Sequence, residues 1–166
     1  MVTEKEMPVE EKALHELLGE ATRLEQNVGD VYHLFFSVFP QDEELWWRLT
    51  LEEKNHASLL ESVELYLNIG LFPTELIYNK LDTLKKINAE LNEMIQNYKT
   101  NPPTREEAFR IAIMLEESAA ETHFQEAISA QSDNPLIQIL QRLNGDDKDH
   151  AARIRNYCIE NKINLE

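Results

Sequence analysis

From Leu14 onward the chain repeats apolar residues at three- and four-residue intervals, through Leu17, Leu18, Ala21, Leu24, Val28, Val31 and Phe35. That spacing draws one continuous stripe along an α-helix. The stripe stops at Phe39-Pro40. After the short break PQDE a second one runs through Leu45, Leu49, His56, Leu60, Val63 and Leu67, and Gly70 and Pro73 punctuate its end. So short a break makes the two helices antiparallel neighbours. A third periodic segment, LIYNKLDTLKKINAELNEMIQNY, precedes the breaker NPPT. Thr104-Arg-Glu-Glu107 then matches a capping box, opening a helix through Phe109, Ile111, Ala112, Leu115, Ala119 and Ala127. Asp133-Asn134-Pro135 starts the last helix, whose inner stripe is Leu136, Ile139, Leu140, Leu143, Ile154 and Cys158. No segment alternates with the period of two that a strand requires.

The pattern predicts an all-α chain with helices over roughly residues 8–38, 42–69, 75–98, 104–131 and 135–162, in one domain spanning residues 1–166. Two antiparallel helical hairpins joined by a long helical crossover is the connectivity of a ferritin-like four-helix bundle.

Some polar residues interrupt the stripes, and helical phase decides which of them face inward. In the second helix Glu53 and His56 fall within the stripe of Leu45, Leu49, Leu60 and Val63, close enough at three residues apart to hold one ion. Asp147 and His150 occupy the same relation in the last helix. Glu25 lies between Ala21 and Val28, and Glu116 between Ala112 and Ala119; Glu20 sits at a stripe's edge, while Glu117 and Glu121 turn outward. An ionised carboxylate in a bundle core costs several kcal/mol unless it is paired, protonated or coordinated. Inward lysines or arginines in matching number are missing, so coordination is the expected solution.

The inward acids also repeat. EEKNHA at 52–57 and DDKDHA at 146–151 share an order of residue types, and each follows a lone glutamate, Glu25 or Glu116, by about one hairpin. Each half of the chain thus carries one glutamate and one acid-x-x-His pair, a pseudo-twofold constellation. Carboxylate and imidazole donors suit iron or manganese, with zinc also accommodated. Single motifs of this kind arise often by chance; the duplicated, phased set carries the expectation. Glu20, Glu52, Glu117, Glu121 and Asp146 are the alternates if the helical phase slips by one residue. His15 and His33 point outward, and His123 lies at the margin of the inner face. Tyr32, near the stripe beyond Glu25, reads as a core tyrosine or a hydrogen-bond donor to a ligand. Trp46 and Trp47 are expected to straddle the edge of the second helix and pack a neighbouring helix or subunit.

Composition narrows the functional classes. The 166 residues are 42% apolar, enough for a real core, and the net charge of −15 argues against nucleic acid or anionic membrane as a partner. One cysteine, Cys158, excludes an internal disulfide and a four-cysteine metal site. The charged N-terminus resembles no signal peptide, no stretch is apolar enough to span a membrane, and a cytoplasmic location is expected.

The phased ligand set, with LEQNVGDVYHLFFSVF followed by LTLEEKNHASLL, resembles the rubrerythrin group of the ferritin-like di-iron carboxylate superfamily over nearly the whole chain. The resemblance implies two iron ions held by Glu25, Glu53, His56, Glu116, Asp147 and His150, with Glu53 and Glu116 as bridging carboxylates and the others terminal. It implies reduction of hydrogen peroxide or dioxygen. Asp147 stands where the family pattern has glutamate, and its arm, one methylene shorter, is expected to loosen or hydrate one metal position. The chain has neither the cysteines nor the length for a rubredoxin module, so electrons would come from a separate donor protein. Homodimerisation through helix faces is compatible with the family. A non-catalytic iron-handling protein and a partner-binding scaffold with a relic metal site are the alternatives.

Overall fold

The computed structural model describes residues 9–67, 81–122 and 135–165. Among the described residues five α-helices follow in order: α1 (Val9–Val38), α2 (Glu43–Leu67), α3 (Leu81–Tyr98), α4 (Arg105–Thr122) and α5 (Pro135–Glu160), with a short 3-10 turn, Pro40–Asp42, between α1 and α2. No strand occurs among the described residues. The predicted helices are all present, and the capping box at the start of α4 forms as written: Thr104 N donates to Glu107 Oε2 at 2.8 Å and Glu107 N to Thr104 Oγ1 at 3.3 Å. Gly70, Pro73, residues 75–80 expected to open the crossover helix, the far ends expected for the helices that begin near 42 and 104, His123, Ala127 and Asp133-Asn134 lie outside the described residues, as do the side chains of Ala119, Glu121, Leu136 and Leu140.

The apolar stripes make the core. Leu14, Leu17, Leu18, Ala21, Leu24, Val28, Val31 and Phe35 of α1 are all buried, as are Leu49, Leu60 and Val63 of α2, Phe109, Ala112 and Leu115 of α4, and Leu143, Ile154 and Cys158 of α5. Helix α1 packs most extensively against α2, and α4 against α5, so each predicted hairpin is a packed pair; α2 meets α5 and α1 meets α4 over narrower seams. Trp46 and Trp47 correct the expectation that both straddle an edge. Adjacent residues on a helix diverge by about 100°, and here Trp46 is wholly inside the core while Trp47 is 42% exposed, against Phe36.

Two polar ties fix this arrangement. The crossover helix α3 lies against α1 through Leu84, Leu91 and Ile95, and buried Asn88 anchors it. Its amide nitrogen donates to the Glu20 carbonyl at 2.9 Å and to Glu20 Oε2 at 2.8 Å, while its oxygen accepts from Asn27 at 2.9 Å. Glu20, expected at a stripe edge, is thereby buried under the crossover. The second tie is Asp42, at the α1–α2 corner. Arg105 grips its carboxylate with two donors, at 2.8 and 2.6 Å, and the Tyr157 hydroxyl donates to it at 2.9 Å. One carboxylate thus joins the first corner to the start of α4 and the end of α5. Removing one partner of a buried ion pair leaves a charge with no counterpart. Arg105→Ala is therefore expected to destabilise the fold by roughly 3 kcal/mol, read as a lowered urea midpoint; an unchanged midpoint would show that Asp42 is solvated.

Candidate metal centre

Glu25 on α1, Glu53 and His56 on α2, Glu116 on α4 and His150 on α5 are all at most 4% exposed. They converge from the four core helices because each occupies an apolar position of its own stripe. Glu53 and His56, three residues apart, stand side by side on one helical face. The side chain of Asp147, one turn before His150, lies outside the described residues.

The five side chains fall into two groups that share a member: Glu25, Glu53 and His56 in one, Glu53, Glu116 and His150 in the other. His56 Nδ1 is 3.4 Å from Glu25 Oε2 and 3.3 Å from Glu53 Oε2. His150 Nδ1 is 3.0 Å from Glu53 Oε1 and 3.3 Å from Glu116 Oε2. Glu53 therefore turns one oxygen to each histidine, while Glu116 faces His150 alone. Donors held about 2.0–2.2 Å from one cation stand about 3.0–3.5 Å from each other, so these spacings fit a metal ion in each group. Glu53 Oε1 and His150 Nδ1 also face each other without hydrogen-bond geometry, as two donors aimed at a common third body would.

A surrounding layer holds these residues in place. The Tyr32 hydroxyl donates to Glu116 Oε1 at 2.5 Å, leaving Oε2 to face His150. The two imidazoles are stacked, with centroids 5.3 Å apart and planes 7° apart. Their outer nitrogens meet acids in a crossed arrangement: Glu52 of α2 lies 3.4 Å from His150 Nε2, and Asp146 of α5 lies 3.7 Å from His56 Nε2. The first acid of each repeated hexapeptide thus sits on the histidine of the other. Arg153 grips Glu52 at 3.0 and 2.5 Å. A carboxylate on the far nitrogen of an imidazole fixes its tautomer and ring orientation, as is usual for metal-bound histidine. Helical phase alone offered Glu52 and Asp146 only as alternates, because their contact to the opposite hairpin depends on how the two hairpins pack.

Gly29 sets the approach of α1 to α2 at this level. A Cβ built there would come within 3.2 Å of the Glu53 Cβ, an atom fixed to the helix backbone. Gly29→Ala is expected to push α2 outward by a few tenths of an ångström and weaken metal binding several-fold, as a metal titration would read. Unchanged affinity would mean that the helices absorb the methyl elsewhere.

The electrostatics are those of a site built for positive charge. Burial opposes protonation of His56, but contact with Glu25 and Glu53 outweighs it and pushes the imidazole up to about 11. His150, likewise buried, is pushed up to about 10 by Glu116 and Glu53. Burial drives Glu53 the other way for a carboxylate, up to about 8, against the pull of both histidines. Burial also acts on Glu52, yet Arg153 outweighs it and holds that carboxylate below its ordinary range. Protons on the two histidines occupy the metal-free cluster at neutral pH, where a cation would displace them.

Of the remaining sequence candidates, His33 is exposed and stacks on Phe36, and Glu117 pairs with Arg155 on the surface. Neither they nor His15 join a metal-ligating group among the described residues. Comparison of the chain with known families, curated proteins and solved structures gave no match. No helix of the described residues is long and apolar enough to cross a membrane.

Proposed function

We propose that this chain is a ferritin-like, rubrerythrin-like di-metal protein that reduces hydrogen peroxide or dioxygen with electrons from a separate donor protein. The observation that carries the reading is the pair of buried carboxylate–histidine groups sharing Glu53. Glu25, Glu53 and His56 would hold one ion, and Glu53, Glu116 and His150 the other. Asp147, by its place in the resemblance, completes the second position. Iron at both positions would supply one electron each to a bound oxidant, which a two-electron reduction of peroxide requires. The chain's own residues do the rest. Tyr32 fixes Glu116, Glu52 faces the outer nitrogen of His150 at 3.4 Å, and the apolar stripes above and below keep water from the cluster.

The test is to load the protein anaerobically with ferrous iron, add hydrogen peroxide, and follow peroxide loss with the rise of oxo-bridged ferric absorbance. Two irons per chain and repeatable oxidation after re-reduction support the proposal. Tight binding of iron without peroxide loss would instead assign the chain to iron handling.

A further inference from the structure

A cation can reach the buried cluster only by passing between helices, and the two hairpins meet along narrow seams, α1 on α4 and α2 on α5. At the first seam the residues beside the cluster are Glu25, Glu116 and Tyr32, all buried, so the core itself closes that side. The second seam differs. Carboxylates of graded exposure run along it from the surface to the buried histidines: the side chain of Asp149 is 67% exposed, that of Asp146 43% and that of Glu52 27%. Glu52 and Asp146 face the outer nitrogens of His150 and His56. A row of acids that starts in water and ends on the ligands draws cations in, and each acid offsets part of the hydration that an ion gives up on the way.

One cation already stands in that row. The Arg153 guanidinium takes both oxygens of Glu52, at 3.0 Å to Oε1 and 2.5 Å to Oε2, and its Nε lies 3.2 Å from Asp149 Oδ2. The oxygen it holds more closely, Oε2, is the one 3.4 Å from His150 Nε2. Arg48, mostly exposed, reaches Oε1 of the same carboxylate at 3.2 Å. Behind Glu52 the two imidazoles stack with centroids 5.3 Å apart. Parallel rings at that spacing leave no gap for a hydrated ion, so a ring must turn aside for one to pass.

We propose that Arg153 is a latch on the α2–α5 seam that governs how fast metal ions enter and leave the cluster. It acts through Glu52, which it holds against His150, and is a positioning residue rather than a ligand. When the guanidinium withdraws, Glu52 is free to take the arriving cation and no longer fixes the His150 ring. The proposal rests on the reading of the cluster as a metal centre and needs no redox step. A simple tie between α2 and α5 would also place an arginine on Glu52, and rates separate the two roles. Loss of a tie, or of a contact that orients a ligand, weakens the site and speeds release alone. Loss of a latch speeds loading as well.

The test is stopped-flow mixing of the metal-free full chain with cobalt(II), followed by the visible absorption that grows as carboxylate and imidazole replace water. Release is read by mixing the loaded protein with excess EDTA. Arg153→Ala is expected to load and release several-fold faster than the wild type at unchanged stoichiometry. Arg153→Lys keeps the charge but loses the two-pronged grip, so it too should load several-fold faster, and it carries the test where Arg153→Ala folds poorly. Arg155→Ala removes the same charge from the same helix, at the surface pair with Glu117, and should load at the wild-type rate. Wild-type loading by Arg153→Lys, or equal acceleration in Arg155→Ala, would overturn the latch, because charge alone would then set the rate. Faster release without faster loading would overturn it too and leave Arg153 as a tie. A wild-type chain that takes up no cobalt would sink the metal reading itself, and the latch with it.

Discussion

Glu53→Ala is expected to abolish tight metal binding at both positions together, whereas His56→Ala and His150→Ala should each cost one ion. Among the described residues Glu53 is the only side chain in both ligand groups, with one oxygen toward each histidine. Its removal leaves each group with two donors among the described side chains, below the three that a stable protein site ordinarily supplies. Loss of a residue that merely orients a ligand weakens metal affinity roughly 10- to 100-fold, and loss of the shared carboxylate should exceed that range. Equilibrium dialysis against manganese or ferrous iron reads the outcome directly. A Glu53→Ala protein that still binds two ions would show that the cluster is not where they bind. Glu53→Gln, which keeps the shape and removes the charge, separates coordination from packing.

As pH rises the metal-free protein should lose stability, while the stabilisation that a bound metal gives should grow. In the metal-free protein His56 and His150 hold protons far above their ordinary value of 6.5. The stability these two groups contribute is complete below their unfolded pKa and is lost as pH rises toward their folded values of about 11 and about 10. Glu53 has the same sign by another route. Its folded value of about 8 lies above the unfolded 4.5, so ionising it within the core removes stability across that interval. All three groups bind more protons folded than unfolded, and the melting temperature of the metal-free protein should fall as pH rises from about 5 to about 9. A bound cation replaces those protons, so the stabilisation it gives must grow over the same window. Scanning calorimetry across that range with and without manganese tests both halves. A metal-free melting temperature that climbs with pH, or a metal-induced rise that stays constant, would contradict the arrangement of charges described here.

Much of this architecture was legible before any coordinates, because its signals are local. Helical periodicity located the stripes, short breaks paired the hairpins, and phase singled out Glu25, Glu53, His56, Glu116, Asp147 and His150 as inward; all but Asp147, whose side chain lies outside the described residues, are buried together. Contacts made across helices were harder to see. Asp42 sits in a turn, where no periodicity marks it as inward, and its burial depends on Arg105 and Tyr157 from distant helices. Asn88 looks like one more polar residue on an amphipathic crossover until α3 docks and places its amide on Glu20. The crossed contacts of Glu52 and Asp146 belong to the packing of one hairpin on the other. Trp46 and Trp47 differ by one position and take opposite environments, a distinction that a stripe-edge reading blurs.

Two cations are expected to bind between the core helices, on either side of Glu53. Anomalous diffraction at the iron edge from crystals grown with ferrous iron addresses it most directly. Two peaks about 3.5–4 Å apart are expected, one beside His56 Nδ1 and Glu25, the other beside His150 Nδ1 and Glu116. A core without anomalous density, with iron only on the surface carboxylates, would contradict it.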